Sequence, residues 1–316
     1  MAHSHAHAHQ GKTGTVLFVS LILTAAFVAA EAMAGLRSGS LALLSDAGHN
    51  FTDAFGLLLA GVGFILHSRP ANHVKTYGYQ RAGVLAAFVN ALLLVVLSLA
   101  LFYQSYRRLL DPKPVAESVM IWMASAGLAL NLGIAWGLGG HNKDLNVRAA
   151  WLHMLGDAGS CAAIIIGALV MRYTGWLAVD PLLSMIIAGA IIWTGWDIFR
   201  DSLNILLEGL PKGIALAEVT HAIRTMEGVL DVHDLHIWSL GSEAHALSCH
   251  VLIEDMPPSS SESILRKVNQ MLVSRFDIHH STIQFEHVRC VLADESCLER
   301  TRERSHQHSH EHPQEH

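Results

Sequence analysis

Six runs of roughly twenty predominantly apolar residues, near 14–35, 40–66, 83–105, 118–138, 149–171 and 177–199, constrain this chain more than any other feature. About twenty apolar residues in an α-helix cross a hydrocarbon core of about 30 Å. Only helices and closed barrels satisfy their own backbone hydrogen bonds in lipid, and runs of this length select helices. The sequence therefore predicts six transmembrane helices. Composition agrees, because 51% of the 316 residues are apolar and only 15% are charged, whereas soluble domains carry about a quarter charged residues. The first run is preceded by alternating histidines rather than a basic segment and exceeds a signal-peptide core in length, so it is expected to stay as a helix.

The character changes near Leu210, where Glu208-Gly209-Leu210-Pro211 closes the last run. Helical spacing over 215–226 is followed by strand-like segments at 234–240 and 246–253, a helix over 261–276 and a strand over 282–288. Pro257-Pro258-Ser259-Ser260-Ser261 supplies the turn and helix start between them. This order predicts a small open sheet covered on one face by two helices. The expected fold is an all-α six-helix transmembrane domain followed by a small α+β (αββαβ) cytosolic C-terminal domain. The expected division is a His-rich tail at 1–12, the membrane domain at 13–208, the cytosolic domain at 209–290 and a Cys/His-containing tail at 291–316. Within that last tail the run of His306, His308, His310, His312 and His316 among Gln, Ser and Glu lacks apolar content and is expected to be disordered.

Six spans put both termini on one side. Placing them in the cytosol puts Lys12, Arg69, Lys75, Arg81, Lys143, Arg148 and Arg200 inside, against Arg37, Arg107, Arg108, Lys113 and Arg172 outside. A sizeable folded domain without an export signal of its own favours the same orientation.

Several classes are excluded. The net charge is −6, and no Lys/Arg block with interleaved aromatics marks a nucleic-acid binder. Four cysteines do not make a disulfide scaffold. A phosphate loop of the Gly-x-x-x-x-Gly-Lys-Ser/Thr kind is absent, so ATP is not expected to supply energy, and no His-Glu-x-x-His marks a metallohydrolase. An enzyme is not expected. The unusual count is histidine, with 22 residues against 21 Lys and Arg together.

Two of those histidines stand in spans beside a carboxylate. Ser45-Asp46-Ala47-Gly48-His49-Asn50-Phe51-Thr52-Asp53 lies in the second run and Trp151-Leu152-His153-Met154-Leu155-Gly156-Asp157 in the fifth. Each holds His-x-x-x-Asp, one helical turn, so His49 shares a face with Asp53 and His153 with Asp157. An Asp at mid-bilayer costs roughly 2.5–3.5 kcal/mol on the insertion scale, so two of them demand partners. Two imidazoles and two carboxylates suit tetrahedral Zn²⁺, and the lack of thiolates argues against copper(I). Hydrogen-bonded His-Asp pairs without metal are the competing reading. Asp46 is read as a hydrogen-bonding or entry-path residue, and Glu31 and Asn131 as helix-packing polar groups.

These residues, together with Leu145-Asn146-Val147-Arg148-Ala149-Ala150, Leu206-Leu207-Glu208-Gly209, His233-Asp234-Leu235-His236-Ile237-Trp238 and Thr282-Ile283-Gln284-Phe285-Glu286, resemble the cation diffusion facilitators. The likeness covers about residues 13–290 and is nearest to the bacterial zinc transporter and cobalt-zinc-cadmium resistance type. It implies a homodimeric, proton-coupled exporter of divalent metal in the bacterial inner membrane, with six spans and a cytosolic metal-binding domain. It also implies that His49, Asp53, His153 and Asp157 form the transport site, in the version associated with zinc over cadmium. Zn²⁺ needs neutral His and ionised Asp, so metal and protons exclude each other and exchange follows if the bundle faces each side in turn.

In the cytosolic domain, strand alternation places Asp234, His236 and Trp238 on one face, Ser248 and His250 on one, and Thr282, Gln284 and Glu286 on one. His236, His250 and Glu286 are expected to converge on the uncovered sheet face, with His279 or the neighbouring His280 as a fourth ligand, and the resemblance carries ligands at the first three positions. Solvated polar residues on an exposed sheet are the competing reading. Cys290 and Cys297 add thiolates or stay free, and Cys161 and Cys249 read as core residues; the family sometimes has a further loop site, for which His67 and His73 are candidates here, with Tyr79 standing where another His would help. The terminal His runs are expected to gather metal but to be dispensable. The exporter reading uses Zn²⁺ both as substrate and as an ion held by the cytosolic domain, with protons, membrane lipid and a second copy of the chain as partners and no nucleic acid. A metal-gated channel or membrane zinc sensor is the alternative.

Overall fold

The computed structural model describes residues 24–138, 145–242 and 244–288. Residues 14–23 of the first expected span, both His-rich runs, Cys290, Cys297 and the tail from 291 lie outside the described residues. Cα packing divides the chain into one unit of Met1–Val62 and Ala86–Arg200 and a second of Gly63–Leu85 and Asp201–His316.

The first unit is helical. Its elements are α1, described over 24–38, α2 (Leu41–His67), α3 (Ala82–Leu110), α4 (Glu117–Leu138), α5 (Leu145–Thr174) and α6 (Val179–Leu206), the ends of α2, α3 and α6 running into the second unit. Among the described residues, α2, α3, α4, α5 from Val147, and α6 are long and apolar enough to cross a membrane. Large apolar side chains point outward from them, with Trp136 89% and Trp193 83% exposed, as a lipid-facing surface requires. Inside, Leu43, Met120, Ala124, Ile164, Ala168 and Met171 form a buried cluster. At Gly167 of α5 a Cβ would meet Leu183 Cδ1 of α6 at 2.2 Å, so the missing side chain allows these helices to approach closely.

Polar contacts tie α2 to α6. Asp180, fully buried in the first turn of α6, accepts hydrogen bonds from Ser40 Oγ (2.5 Å), Leu41 N (2.8 Å) and Ala42 N (3.2 Å), so its carboxylate serves the orphan amides at the start of α2. Further along both helices, Ser45 Oγ and Ser184 Oγ lie 2.6 Å apart. The N-terminus of the helix that carries His49 and Asp53 is therefore held both by its own cap, Ser40 Oγ accepting from Leu43 N at 3.1 Å, and by its neighbour.

The second unit contains α7 (Leu216–Arg224), β1 (Val229–Ser239), β2 (His245–Ile253), α8 (Pro258–Phe276) and β3 (Ile278–Glu286). The sheet order is β1-β2-β3, antiparallel between β1 and β2 and parallel between β2 and β3. Val219 and Ile223 of α7 and Ile264, Val268 and Leu272 of α8 pack with Val232, Ile237, Leu247, Cys249, Val251 and Ile253, so both helices cover one sheet face. Burial among these apolar groups pushes the Cys249 thiol up to about 12. Asp277, at φ 56°, ends α8 in the left-handed conformation and turns the chain straight into β3. The strand therefore starts at Ile278 rather than near 282. β1 likewise begins at Val229 rather than 234, because its alternation is interrupted by a bulge between His233 and His236, where Asp234 has φ 50°.

Candidate metal centres

In the first unit α2 and α5 bring His49, His153 and Asp157 to one point, and Asp53 stands within reach of both imidazoles but outside that converging set. His49 Nε2 lies 3.7 Å from Asp53 Oδ2 and 3.4 Å from Asp157 Oδ1, and His153 Nε2 lies 2.9 Å from Asp53 Oδ2 and 3.6 Å from Asp157 Oδ2. The two imidazoles meet edge to face with centroids 5.8 Å apart. Tetrahedral Zn²⁺ with bonds of 2.0–2.2 Å sets its ligand atoms about 3.3–3.6 Å from one another. The observed separations bracket that range, and the donor set is nitrogen and oxygen as zinc accepts. Of the four, Asp157 is buried, His49 and Asp53 are partly buried and His153 is the most open, so one side of the group is accessible.

Around this group lie the other buried polar residues of the spans. Asp46, read from sequence as a hydrogen-bonding or entry residue, accepts from Ser160 Oγ at 2.5 Å and Cys161 Sγ at 3.5 Å. Ser160 Oγ also donates to the Asp157 carbonyl at 2.9 Å, linking Asp46 to a ligand-bearing turn. Glu31 accepts from Asn50 Nδ2 at 3.0 Å, and Asn131 Nδ2 lies 3.9 Å from Cys161 Sγ.

In the second unit the converging residues are His233, His250 and Glu286. His250 Nδ1 is 2.9 Å from Glu286 Oε1, His233 Nε2 is 3.2 Å from Glu286 Oε2, and the two rings are 5.3 Å apart. His233 Nε2, His250 Nδ1 and Glu286 Oε2 are buried yet form no hydrogen bond. Three buried ligand atoms that face one another at these distances without forming hydrogen bonds fit a cation that bonds to all of them.

His236 is not among these three. It stands opposite Ser248, and its Nε2 lies 3.1 Å from Asp234 Oδ1. The bulge explains the exchange: His233 pairs with His250 and His236 with Ser248, so the extra residue puts both histidines on the face that strict alternation assigned to His236 alone. His279 is exposed with Nε2 2.9 Å from Asp277, and His280 meets Tyr77 edge to face at 5.3 Å. Neither joins the group, and His67 and His73 fall in no converging set among the described residues.

A family model described as the cation efflux transmembrane domain matches residues 17–207, and one described as the cation efflux protein cytoplasmic domain matches 211–288. The chain belongs to the cation efflux family. The chain is 39% identical over 290 residues to the cadmium, cobalt and zinc/H(+)-K(+) antiporter of Bacillus velezensis, covering 90% of this chain and 92% of that protein. It is 37% identical over 300 residues to the zinc transporter ZitB of Pectobacterium atrosepticum, covering 94% and 92%. A solved structure, the metal-bound C-terminal domain of the CzcD transporter from Cuprividus metallidurans, is 44% identical over 23% of this chain and 99% of that one, with a TM-score of 0.22. As a cation efflux protein the chain is an integral membrane protein of a transporter family. His233, which alternation left out of the candidate set, adjoins Asp234, a residue type that tolerates the left-handed conformation a bulge uses.

Proposed function

We propose that this cation efflux protein exports Zn²⁺ from the cytosol in exchange for protons, with His49, Asp53, His153 and Asp157 as the transport site. The observation that carries the reading is the convergence of His49, His153 and Asp157 from two membrane-crossing helices, with Asp53 Oδ2 3.7 Å from the His49 and 2.9 Å from the His153 imidazole, His-to-carboxylate separations close to those of a tetrahedral zinc shell. The names of the relatives, a zinc transporter and a cadmium, cobalt and zinc/H(+)-K(+) antiporter, support both the substrate and the exchange. The chemistry supplies the coupling. Zn²⁺ binds neutral imidazole and ionised carboxylate, so protons arriving at the same atoms displace it.

The reading divides the chain into a tail at 1–12, a six-span domain at 13–208, a cytosolic domain at 209–290 and a tail at 291–316, with both termini cytosolic in a bacterial inner membrane. The cytosolic domain holds zinc through His233, His250 and Glu286, and the protein works as a homodimer in lipid. Zinc uptake into proteoliposomes, with and without an imposed pH gradient, tests this reading. A gradient that drives zinc against its own concentration supports exchange; zinc flux that is unchanged when the gradient is abolished contradicts it and favours a metal-gated channel.

A further inference from the structure

Besides Asp180, whose oxygens cap α2, the membrane unit buries two carboxylates that are not among the metal ligands. Glu31 on α1 is 0% exposed and Asp46 on α2 is 2% exposed. Glu31 bonds to Asn50, one turn beyond Asp46 on α2, so the two carboxyl groups are neighbours along one face of that helix. Their hydrogen bonds come from an amide, a hydroxyl and a thiol, those of Asn50, Ser160 and Cys161, and not from a cation. Glu31 Oε1 is buried with no hydrogen-bond partner. The titratable groups facing the pair are His49 from α2 and Asp157 and Cys161 from α5.

Two neighbouring carboxylates away from water repel, and among the described residues no cation offsets the desolvation that each carries. One proton shared between them removes a charge, supplies a donor to the orphaned oxygen and turns the contact into a hydrogen bond. A dication arriving at His49 and Asp157 reverses the balance, because its field favours the doubly ionised pair.

We propose that Glu31 and Asp46 form a proton-binding site inside the membrane domain, separate from the metal ligands, which gives up one proton when zinc occupies the transport site and regains it when zinc leaves. This rests on the transport site proposed above. Ser160, bonded to Asp46 and to the Asp157 carbonyl, and Asn50, next in chain to His49, tie the two sites together. The exchanged protons then come partly from the ligands and partly from this pair.

The test counts protons released per zinc bound by the full-length protein in detergent, using a pH indicator and a zinc indicator in weak buffer. The contribution of the cytosolic site is subtracted with a variant whose membrane ligands are removed by paired His49→Ala and Asp157→Ala substitutions. Glu31→Gln keeps the shape and hydrogen-bonding capacity of Glu31 but cannot release a proton. Its proton count should fall by about one per zinc, with zinc still bound. Asp46→Asn should lose the same single proton, and the double variant no more than either, because the proton is shared. A merely structural defect would lower zinc binding and proton release together and leave their ratio unchanged. Proton counts equal to the parent's in both variants overturn the proposal, as does loss of zinc binding in both, which would make the pair part of the metal site. A parent that binds zinc without releasing any proton refutes the exchange reading itself.

Discussion

His49 Nε2 lies closer to Asp157 on the neighbouring helix, at 3.4 Å, than to Asp53 one turn along its own helix, at 3.7 Å. His153 repeats the pattern, 2.9 Å from Asp53 against 3.6 Å from its own-helix Asp157. Each imidazole thus approaches the other helix's carboxylate, and the site exists only while α2 and α5 stay in register. A shift of one helix against the other dismantles both cross-helix contacts at once, which gives alternating access a direct effect on metal affinity.

The cytosolic centre separates two neighbouring histidines. With the membrane site removed by the paired His49→Ala and Asp157→Ala substitutions, His233→Ala should reduce zinc affinity of the full-length protein by more than the ~10–100-fold that loss of an outer-shell partner brings. His236→Ala should leave it within that outer range. Equilibrium competition against a zinc chelator distinguishes them, and a larger loss from His236→Ala than from His233→Ala would refute the assignment.

Asp180 holds the start of α2 through Leu41, Ala42 and Ser40. Asp180→Ala leaves those donors buried without an acceptor, a loss of about 1–3 kcal/mol for each group that finds no other partner. The variant should unfold at a clearly lower temperature in detergent, and Asp180→Asn, which keeps one acceptor oxygen, should fall between it and the parent. Equal unfolding temperatures for parent and Asp180→Ala would show that the contact contributes nothing.

Burial raises the Cys249 thiol from 9.0 to about 12. A raised folded-state pKa contributes stability that is fully present below the unfolded value and is lost as pH rises through the folded one. The cytosolic domain should therefore weaken between pH 9 and about 12, and Cys249→Ala should flatten that part of the profile. Maleimide labelling followed by peptide mass spectrometry gives a second check. Cys249 should stay unlabelled at neutral pH in the folded protein and react after denaturation, and prompt labelling of the native protein would contradict its burial.

Much of this was legible in the sequence for identifiable reasons. The membrane ligands lie on regular helices, where a spacing of four fixes a shared face, so His49, Asp53, His153 and Asp157 followed from counting residues. Helix ends were less legible, because α3 runs to Leu110 and α6 to Leu206 after their apolar runs stop, and polar residues continue a helix as readily beyond the lipid as within a soluble domain. In the sheet, the face of each residue depends on unbroken alternation. A single extra residue at Asp234 shifted the phase, and His233 took the place expected of His236. The early start of β3 is tied to the left-handed Asp277, another conformation that periodicity does not reveal.

The central claim is that one group of ligands binds zinc and exchanges it for protons. Asp157→Asn keeps an oxygen ligand and nearly the same volume but removes a charge that can be protonated. In proteoliposomes carrying zinc and pH indicators, this variant should abolish zinc-driven proton movement, while deletion of residues 2–10 and 305–316 should leave it largely intact. Proton movement in exchange for zinc at the parent rate in Asp157→Asn would contradict the account.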